Sequence, residues 1–120
     1  MTEPLRKFLQ EISKPITKYS LLGTTINYLI ENKILEVPDY IKIDVDGIEH
    51  LILESGDKVL KNNKIKSISV EINENFKEQC DKILNIMKEY DFKFFNKNDD
   101  DDVSPKENKF SKGFNYIFIK

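Results

Sequence analysis

The sequence predicts an α/β domain whose sheet is mostly parallel. Two β-branched stretches, 40–45 and 65–73, are separated by a segment with helical periodicity, and a longer helical pattern follows the second stretch. Strands that alternate with helices imply right-handed crossovers and parallel pairing. The last two predicted strands are joined without a helix, so we expect an antiparallel hairpin there. A chain of 120 residues suits one domain, residues 1–120.

The N-terminal third is predicted to be mainly helical. Apolar residues at helical spacing predict a helix over residues 2–13, and a short strand is predicted around 16–22. A second helix follows, capped by Thr24 or Thr25, and fades near Lys33. These elements lead into the first of the two clearest strands.

That strand, 40–45, ends at Asp46-Gly47, where the chain turns into two short helices that are separated by a bend at Ser55-Gly56. The next strand, 65–73, leads into an amphipathic helix over 76–90. The helical residues expected to face inward are Phe76, Cys80, Ile83, Leu84 and Met87.

The C-terminal region, 93–120, is predicted to be the hairpin. A weakly alternating stretch at 92–95 and an aromatic, β-branched stretch at 114–119 are its strands, and 96–112 is its loop. The loop contains four consecutive aspartates at 99–102. Such a run is typical of a solvated turn rather than of a metal site, because nothing fixes its backbone.

Composition excludes several classes of protein. A net charge of -2 and a pI near 5.5 argue against a nucleic-acid-binding protein, which usually has a basic face. The first ten residues have no apolar run, and no later run is long enough to span a membrane, so we expect a cytoplasmic protein that does not bind membranes. Cys80 is the single cysteine, which excludes an internal disulfide.

Polar side chains alternate with apolar ones along both clear strands. Lys42, Asp44 and Asp46 share one parity of the first strand, and Glu71 and Asn73 share one parity of the second. If the strands are parallel neighbours, these side chains converge toward the carboxyl ends, where α/β sheets bind ligands. The competing interpretation is a solvent-exposed face on which Lys42 neutralises nearby acids. A parallel sheet is normally covered on both faces, which favours a functional cleft.

The groups at this strand end suit several kinds of chemistry. Asp44 and Asp46 could position a cation, bind ligand hydroxyls or act as a base. Gly47 lets the backbone turn closely past a ligand. Glu49 lies in the first turn of a helix, where the helix dipole also favours a carboxylate. His50, the only histidine, is a further candidate base, although a lone helical histidine is more often structural.

An apolar strand that ends in Asp-x-Asp has two common uses. One is a divalent-metal site for a nucleotide-sugar diphosphate, as in many glycosyltransferases. The other is the acidic motif after the fourth strand of Rossmann-like methyltransferases. The tripeptide alone favours neither use.

Residues 21–92 resemble the C-terminal half of FkbM-type S-adenosylmethionine-dependent methyltransferases. The segments that carry the resemblance are GTTINYLI at 23–30, PDYIKIDVDGIE at 38–49, LESG at 53–56 and SVEIN at 69–73. The resemblance implies part of a Rossmann-like, seven-stranded sheet, in which 41–46 and 65–73 are the fourth and fifth strands. The final hairpin then matches the sixth and seventh strands.

The resemblance also implies roles for the polar residues. Asp44 would lie near the methionine end of the cofactor and near the acceptor, and Gly47 would also contact the cofactor. The reaction would move a methyl group from a sulfonium to a hydroxyl of a sugar or other small metabolite. The candidate catalytic residues are Asp44, Asp46 and His50. The candidate substrate-binding residues are Lys42, Glu49, Glu71 and Asn73.

Two features depart from the family pattern. Asn27 stands where an acid is expected, and the chain has no Gly-x-Gly cofactor loop, since its four glycines are widely spaced. We therefore expect the first three strands to be missing and adenosylmethionine binding by this chain alone to be weak. The alternatives are a noncatalytic interaction module, which forms a homo-oligomer or pairs with a complementing chain, and a metal-dependent sugar transferase.

Overall fold

The computed structural model describes residues 17–99 and 113–120. Four helices and four strands lie in these ranges. In chain order they are α1 (Ile26–Glu31), β1 (Tyr40–Ile43), α2 (Glu49–Glu54), α3 (Asp57–Leu60), β2 (Ser67–Asn73), α4 (Lys77–Glu89), β3 (Lys93–Asp99) and β4 (Gly113–Ile119). The predicted helix at 2–13 and most of the acidic run at 99–102 lie outside the described residues.

The helices begin close to their predicted positions. Thr25, rather than Thr24, caps α1, because its Oγ1 accepts a hydrogen bond of 3.1 Å from the Tyr28 N–H. The two short helices α2 and α3 meet at the predicted bend. Residues 17–22 form no strand, so the strand predicted around 16–22 is wrong over that range. Two apolar residues there, Leu21 and Leu22, are fully or largely exposed.

The four strands form one sheet in the order β1-β2-β4-β3. β1 and β2 are parallel, as predicted, and β3 and β4 form the predicted antiparallel hairpin. β4 also pairs antiparallel with β2. Since two of the three pairings are antiparallel, the prediction of a mostly parallel sheet does not hold for the described strands, which form a mixed α/β sheet.

β3 is longer than predicted. Its polar second half, Asn96 to Asp99, continues the pairing with β4 after a bulge between Phe94 and Asn96. Those residues were expected to begin the loop because their side chains are polar. An edge strand needs only backbone hydrogen bonds to one neighbour, and polar side chains on such an edge reduce unwanted association.

The core lies on one face of the sheet. β2 alternates between half-buried and buried residues, and its buried members are Ile68, Val70 and Ile72. α2 and α4 cover this face, and α4 contributes Ile83 and Met87, which are one helical turn apart. Leu84 is 36% exposed because it lies one residue further around α4, so its predicted inward orientation is wrong.

The opposite face of the sheet carries the predicted polar residues. Lys42 is level with Ser69 in the β1–β2 register, which places the polar parities of both strands on one side, as predicted. Lys42 is exposed, whereas Ser69, Glu71 and Asn73 are half-buried. The described part of the sheet therefore has one closed, apolar face and one partly open, polar face.

Asn27 connects α1 to α3. Its Nδ2 donates a hydrogen bond of 2.6 Å to Asp57 Oδ1, and its Oδ1 accepts one of 3.3 Å from the Val59 N–H. The bond from Asn27 is the largest cause that lowers the pKa of Asp57 below its ordinary value of 3.8. An acid at this position could accept from Val59 but could not donate to Asp57, so the asparagine fits its neighbours here.

Asn27→Asp is expected to lower the melting temperature by several degrees at neutral pH, because it places two carboxylates against each other. In the native protein the lowered pKa of Asp57 stabilises the fold fully above pH 3.8. This contribution is lost as the pH falls through the pKa that Asp57 has in the folded protein. In the variant, one of the two facing carboxyl groups is protonated at low pH. The difference in melting temperature between the variant and the native protein should therefore shrink toward about pH 4. Circular-dichroism melts at both pH values measure this, with exposed Asn63→Asp as control. Equal melting temperatures for the two variants would contradict the prediction.

Candidate active site

A pocket of about 240 Å³ lies at the carboxyl ends of the parallel strands β1 and β2. The turn after β1, the end of β2 and the first two turns of α4 form its walls. Its lining residues are Val45, Asp46, Gly47, Glu49, Glu71, Ile72, Asn73, Phe76, Gln79, Cys80 and Ile83. Carboxyl ends of parallel strands are the usual ligand site of α/β sheets.

The turn after β1 shapes one wall. The Gly47 N–H donates to the Val45 carbonyl over 3.0 Å, which closes a tight turn centred on Asp46. Gly47 has a φ of 96°, a conformation that glycine adopts without the strain a side chain would cause. α2 then begins at Glu49, and both Asp46 and Glu49 line the pocket.

The pocket brings together five of the predicted site residues and leaves out three. The residues that line it are Asp46, Gly47, Glu49, Glu71 and Asn73. Lys42, Asp44 and His50 do not line it. β1 ends at Ile43, so Asp44 follows the strand and is exposed, while Lys42 lies further back on the open face. The Nδ1 atom of His50, which follows the lining residue Glu49, is buried without a hydrogen-bond partner.

The carboxylates of the pocket differ in their surroundings. Asp46 is exposed, and Glu71 is half-buried. A Cβ atom at Gly113 would lie 2.6 Å from Glu71 Oε1, so the missing side chain of Gly113 leaves room for that carboxylate. Glu49 is 6% exposed and makes no hydrogen bond or ion pair within residues 17–99 and 113–120. Glu49 is thus the carboxylate with the greatest need of a partner.

α4 and the residue before it contribute four lining residues that sequence reasoning did not assign to a site, Phe76, Gln79, Cys80 and Ile83. Phe76 was expected to face the core, but it precedes α4 as its N-cap residue and is 54% exposed. Burial, followed by the nearby Asp81 and Glu74 carboxylates, raises the pKa of the Cys80 thiol. The position of α4 in the chain could have indicated its part in the site. A helix that follows a strand begins at the carboxyl end of that strand, where the pocket lies.

A polar network fixes the chain just after β2. Glu74 accepts a hydrogen bond of 2.5 Å from Tyr116 Oη on β4 and forms an ion pair with Lys97 on β3. Lys97 also lies 4.1 Å from the centre of the Phe114 ring. Burial and then the Glu74 bond raise the pKa of Tyr116. The hairpin thereby holds the segment between β2 and α4, which supports one side of the pocket.

The acidic residues are not arranged as a metal centre. Within the described ranges no group of three or more His, Cys, Asp and Glu side chains is placed to hold a metal ion. No helix in those ranges is long and apolar enough to cross a membrane. Neither the metal-dependent sugar transferase nor any other metal-based interpretation of Asp44 and Asp46 gains support from this geometry.

Comparison with known families identifies the domain. The family described as the methyltransferase FkbM domain matches residues 4–94, which is more than half of the chain. The chain belongs to the FkbM methyltransferase family. The match confirms the resemblance of residues 21–92 and begins before it. No curated protein and no solved structure matches the chain.

Membership of the FkbM family supports a methyltransferase at the level of the family, and members generally use S-adenosylmethionine. The matched residues include the turn after β1, the end of β2 and the first two turns of α4. Every lining residue of the pocket therefore lies within the FkbM match.

Proposed function

We propose that this domain belongs to an S-adenosylmethionine-dependent methyltransferase that methylates a hydroxyl of a sugar or other small metabolite. The carboxylate-lined pocket at the ends of β1 and β2, inside the FkbM match, is the observation that carries the proposal. Its position is where α/β folds bind ligands, and its carboxylates can accept the proton that a hydroxyl loses.

The lining of the pocket suits the positive groups of the cofactor, whereas its volume holds only part of the molecule. S-adenosylmethionine carries a positive sulfonium and a positive ammonium as well as a carboxylate, and Asp46, Glu49 and Glu71 suit the two positive groups. Small-molecule sites usually have volumes of roughly 300–1,000 Å³. At about 240 Å³ the described pocket would hold one end of the cofactor or the acceptor. When bound, the cofactor supplies the methyl group on its sulfonium.

The residues of the domain would position the acceptor and remove its proton. Asp46 lines the pocket on an exposed turn, which supports it as the base that accepts the hydroxyl proton. Asp44 and His50 remain proposed catalytic residues at the margin of the site. Asp44 and Gly47 are proposed to contact the cofactor. Holding both reactants in line would provide most of the acceleration.

The side chains proposed to bind the acceptor are Lys42, Glu49, Glu71 and Asn73. Three of them line the pocket, and Lys42 lies further back on the open face of the sheet. The amide of Asn73 can both donate to and accept from hydroxyl groups, whereas the carboxylates only accept. This combination suits an acceptor with several hydrogen-bond donors.

We further propose that β1, β2 and the β3–β4 hairpin correspond to the fourth to seventh strands of a Rossmann-like methyltransferase sheet. The parallel β1–β2 pair, joined by helices on one face, and the antiparallel hairpin support this correspondence. β1 lies at the edge of the described sheet, and Tyr40 on it is 71% exposed. We therefore propose that a second copy or a complementing chain adjoins this edge and completes the pocket.

Binding of S-adenosylhomocysteine, the product form of the cofactor, tests the proposed function. Titration followed by amide NMR should perturb the segments 44–49 and 71–73, with weak, millimolar-range affinity for the chain alone. Asp44→Asn should weaken this binding about fivefold, as expected for an exposed charge contact of about 1 kcal/mol.

Asp91→Asn is the matched control, because Asp91 is exposed just after α4 and its φ of 65° is one that asparagine tolerates. It removes the same charge from an exposed position that lies outside the turn after β1. Unperturbed signals in both segments at saturating ligand would contradict the proposed function. Tight binding by the chain alone would instead contradict completion of the pocket by a second chain.

A further inference from the structure

Glu49 presents a charge that the described residues do not satisfy. Its side chain lines the pocket, is 94% buried and has no hydrogen bond or ion pair within the described residues. A carboxylate on a largely buried residue has limited access to solvent, and a ligand that donates hydrogen bonds to it stabilises its charge. The carboxylate therefore specifies part of what the pocket binds.

The position of Glu49 in the first turn of α2 does not remove this need. The helix dipole favours a negative charge there, but α2 has only six residues and its N-cap Ile48 makes no side-chain hydrogen bond. The dipole attracts the charge without hydrogen-bonding the carboxylate oxygens. Glu54, on the same helix, is exposed to solvent, whereas Glu49 is only 6% exposed.

The remaining lining residues define the charge of the ligand. Asp46 and Glu71 add two more carboxylates, and no Lys, Arg or His belongs to the described lining. An anionic ligand would be repelled by the carboxylates on the two walls that the turn after β1 and the end of β2 form. The acids do not group as a metal site in the described ranges, so an organic cation is the better partner for Glu49.

The rest of the lining suits a polyhydroxyl ligand with an apolar face. The amides of Asn73 and Gln79 can bond hydroxyl groups in either direction. The Phe76 ring is half exposed at the rim, where it can pack against C–H groups or a cation. Charge, amides and an aromatic ring thus lie within one pocket.

We propose that the pocket binds a small molecule that carries a protonated amine together with hydroxyl groups, such as an amino sugar, with its ammonium on Glu49. The claim that this ligand accepts the methyl group rests on the proposed function. The claim that the pocket binds this class of ligand rests on the lining residues alone and can be tested without the cofactor.

Three related sugars serve as probes in amide NMR titrations at mildly acidic pH. Glucosamine carries the protonated amine, glucose is its neutral counterpart and glucose 6-phosphate is anionic. We expect glucosamine to shift the amide signals of segments 46–49 and 71–73. Glucose should bind more weakly, and glucose 6-phosphate should leave these signals unchanged.

Glu49→Gln keeps the shape of the side chain and removes its charge. It should weaken glucosamine binding about tenfold or more, the loss expected when a charge-assisted hydrogen bond is removed. Glu54→Gln removes the same charge from an exposed position of α2 and should leave the affinity unchanged. Asp46→Asn, on an exposed turn, provides a second pocket variant in case Glu49→Gln perturbs the fold.

Glucosamine binding that is lost in Glu49→Gln or Asp46→Asn and kept in Glu54→Gln supports the inference. The inference is overturned if glucose 6-phosphate binds as well as glucosamine does, or if the pocket variants and the control behave alike. It is also overturned if S-adenosylhomocysteine perturbs the pocket and glucosamine does not, a result that would leave the proposed function intact.

Discussion

Replacing Ile68 with alanine is expected to lower the free energy of unfolding by about 2–5 kcal/mol, the usual cost of truncating a large core side chain. Ile68 is fully buried in β2 and lies level with Ile41 on β1 and Phe118 on β4. Because neighbours on both sides belong to strands, they cannot collapse easily into the space that is left. Urea denaturation followed by circular dichroism measures the change.

Ile34→Ala is the matched control, since Ile34 is 58% exposed outside any helix or strand. This substitution should change the free energy of unfolding by no more than roughly 0.5 kcal/mol, as for most surface substitutions. If the two variants unfold at the same urea concentration, then the core does not lie between the helices and this face of the sheet.

Gly47→Val is expected to destabilise the domain by about 2 kcal/mol and to alter the pocket. A Cβ atom at Gly47 would meet no other atom within 4 Å, so crowding is not the cause. The cost comes from the φ of 96°, which a β-branched residue rarely adopts. Relaxation of that strain would move the turn at Asp46, so ligand binding should weaken together with stability.

Gly23→Val separates the two causes. Gly23 also has open space around it, but its φ is not positive. Its substitution should change the free energy of unfolding by less than about 0.5 kcal/mol. Equal effects at Gly23 and Gly47 would show that loss of glycine, rather than the backbone conformation at Gly47, sets the cost.

Local chemistry made several parts of the fold predictable. Thr25 as a cap, the bend at Ser55-Gly56 and the parallel pairing of β1 with β2 follow from residue type and periodicity. The length of β3 was not predictable in the same way, because its polar half is held by backbone bonds to β4. The sheet is less parallel than expected because β4 lies between β2 and β3. This position depends on contacts between residues that are far apart in the sequence.

The candidate site was predictable where it depends on strand ends. Alternation located Glu71 and Asn73, and the turn after β1 located Asp46 and Gly47. The contribution of α4 was missed, because periodicity gives the apolar stripe of a helix but not its position relative to the sheet edge. Phe76 illustrates this limit, since its apolar character suggested the core although it lies at the rim of the pocket.

The position of β4 in the sheet has a consequence for how the domain folds. β4 fills the gap between β2 and β3, yet it follows both of them in the chain. During synthesis, β2 and β3 therefore present unpaired edges until Gly113–Ile119 has left the ribosome. The nascent chain is thus exposed to association with other strands from the time β2 emerges until β4 follows it, and the final pairing joins segments that are distant in sequence.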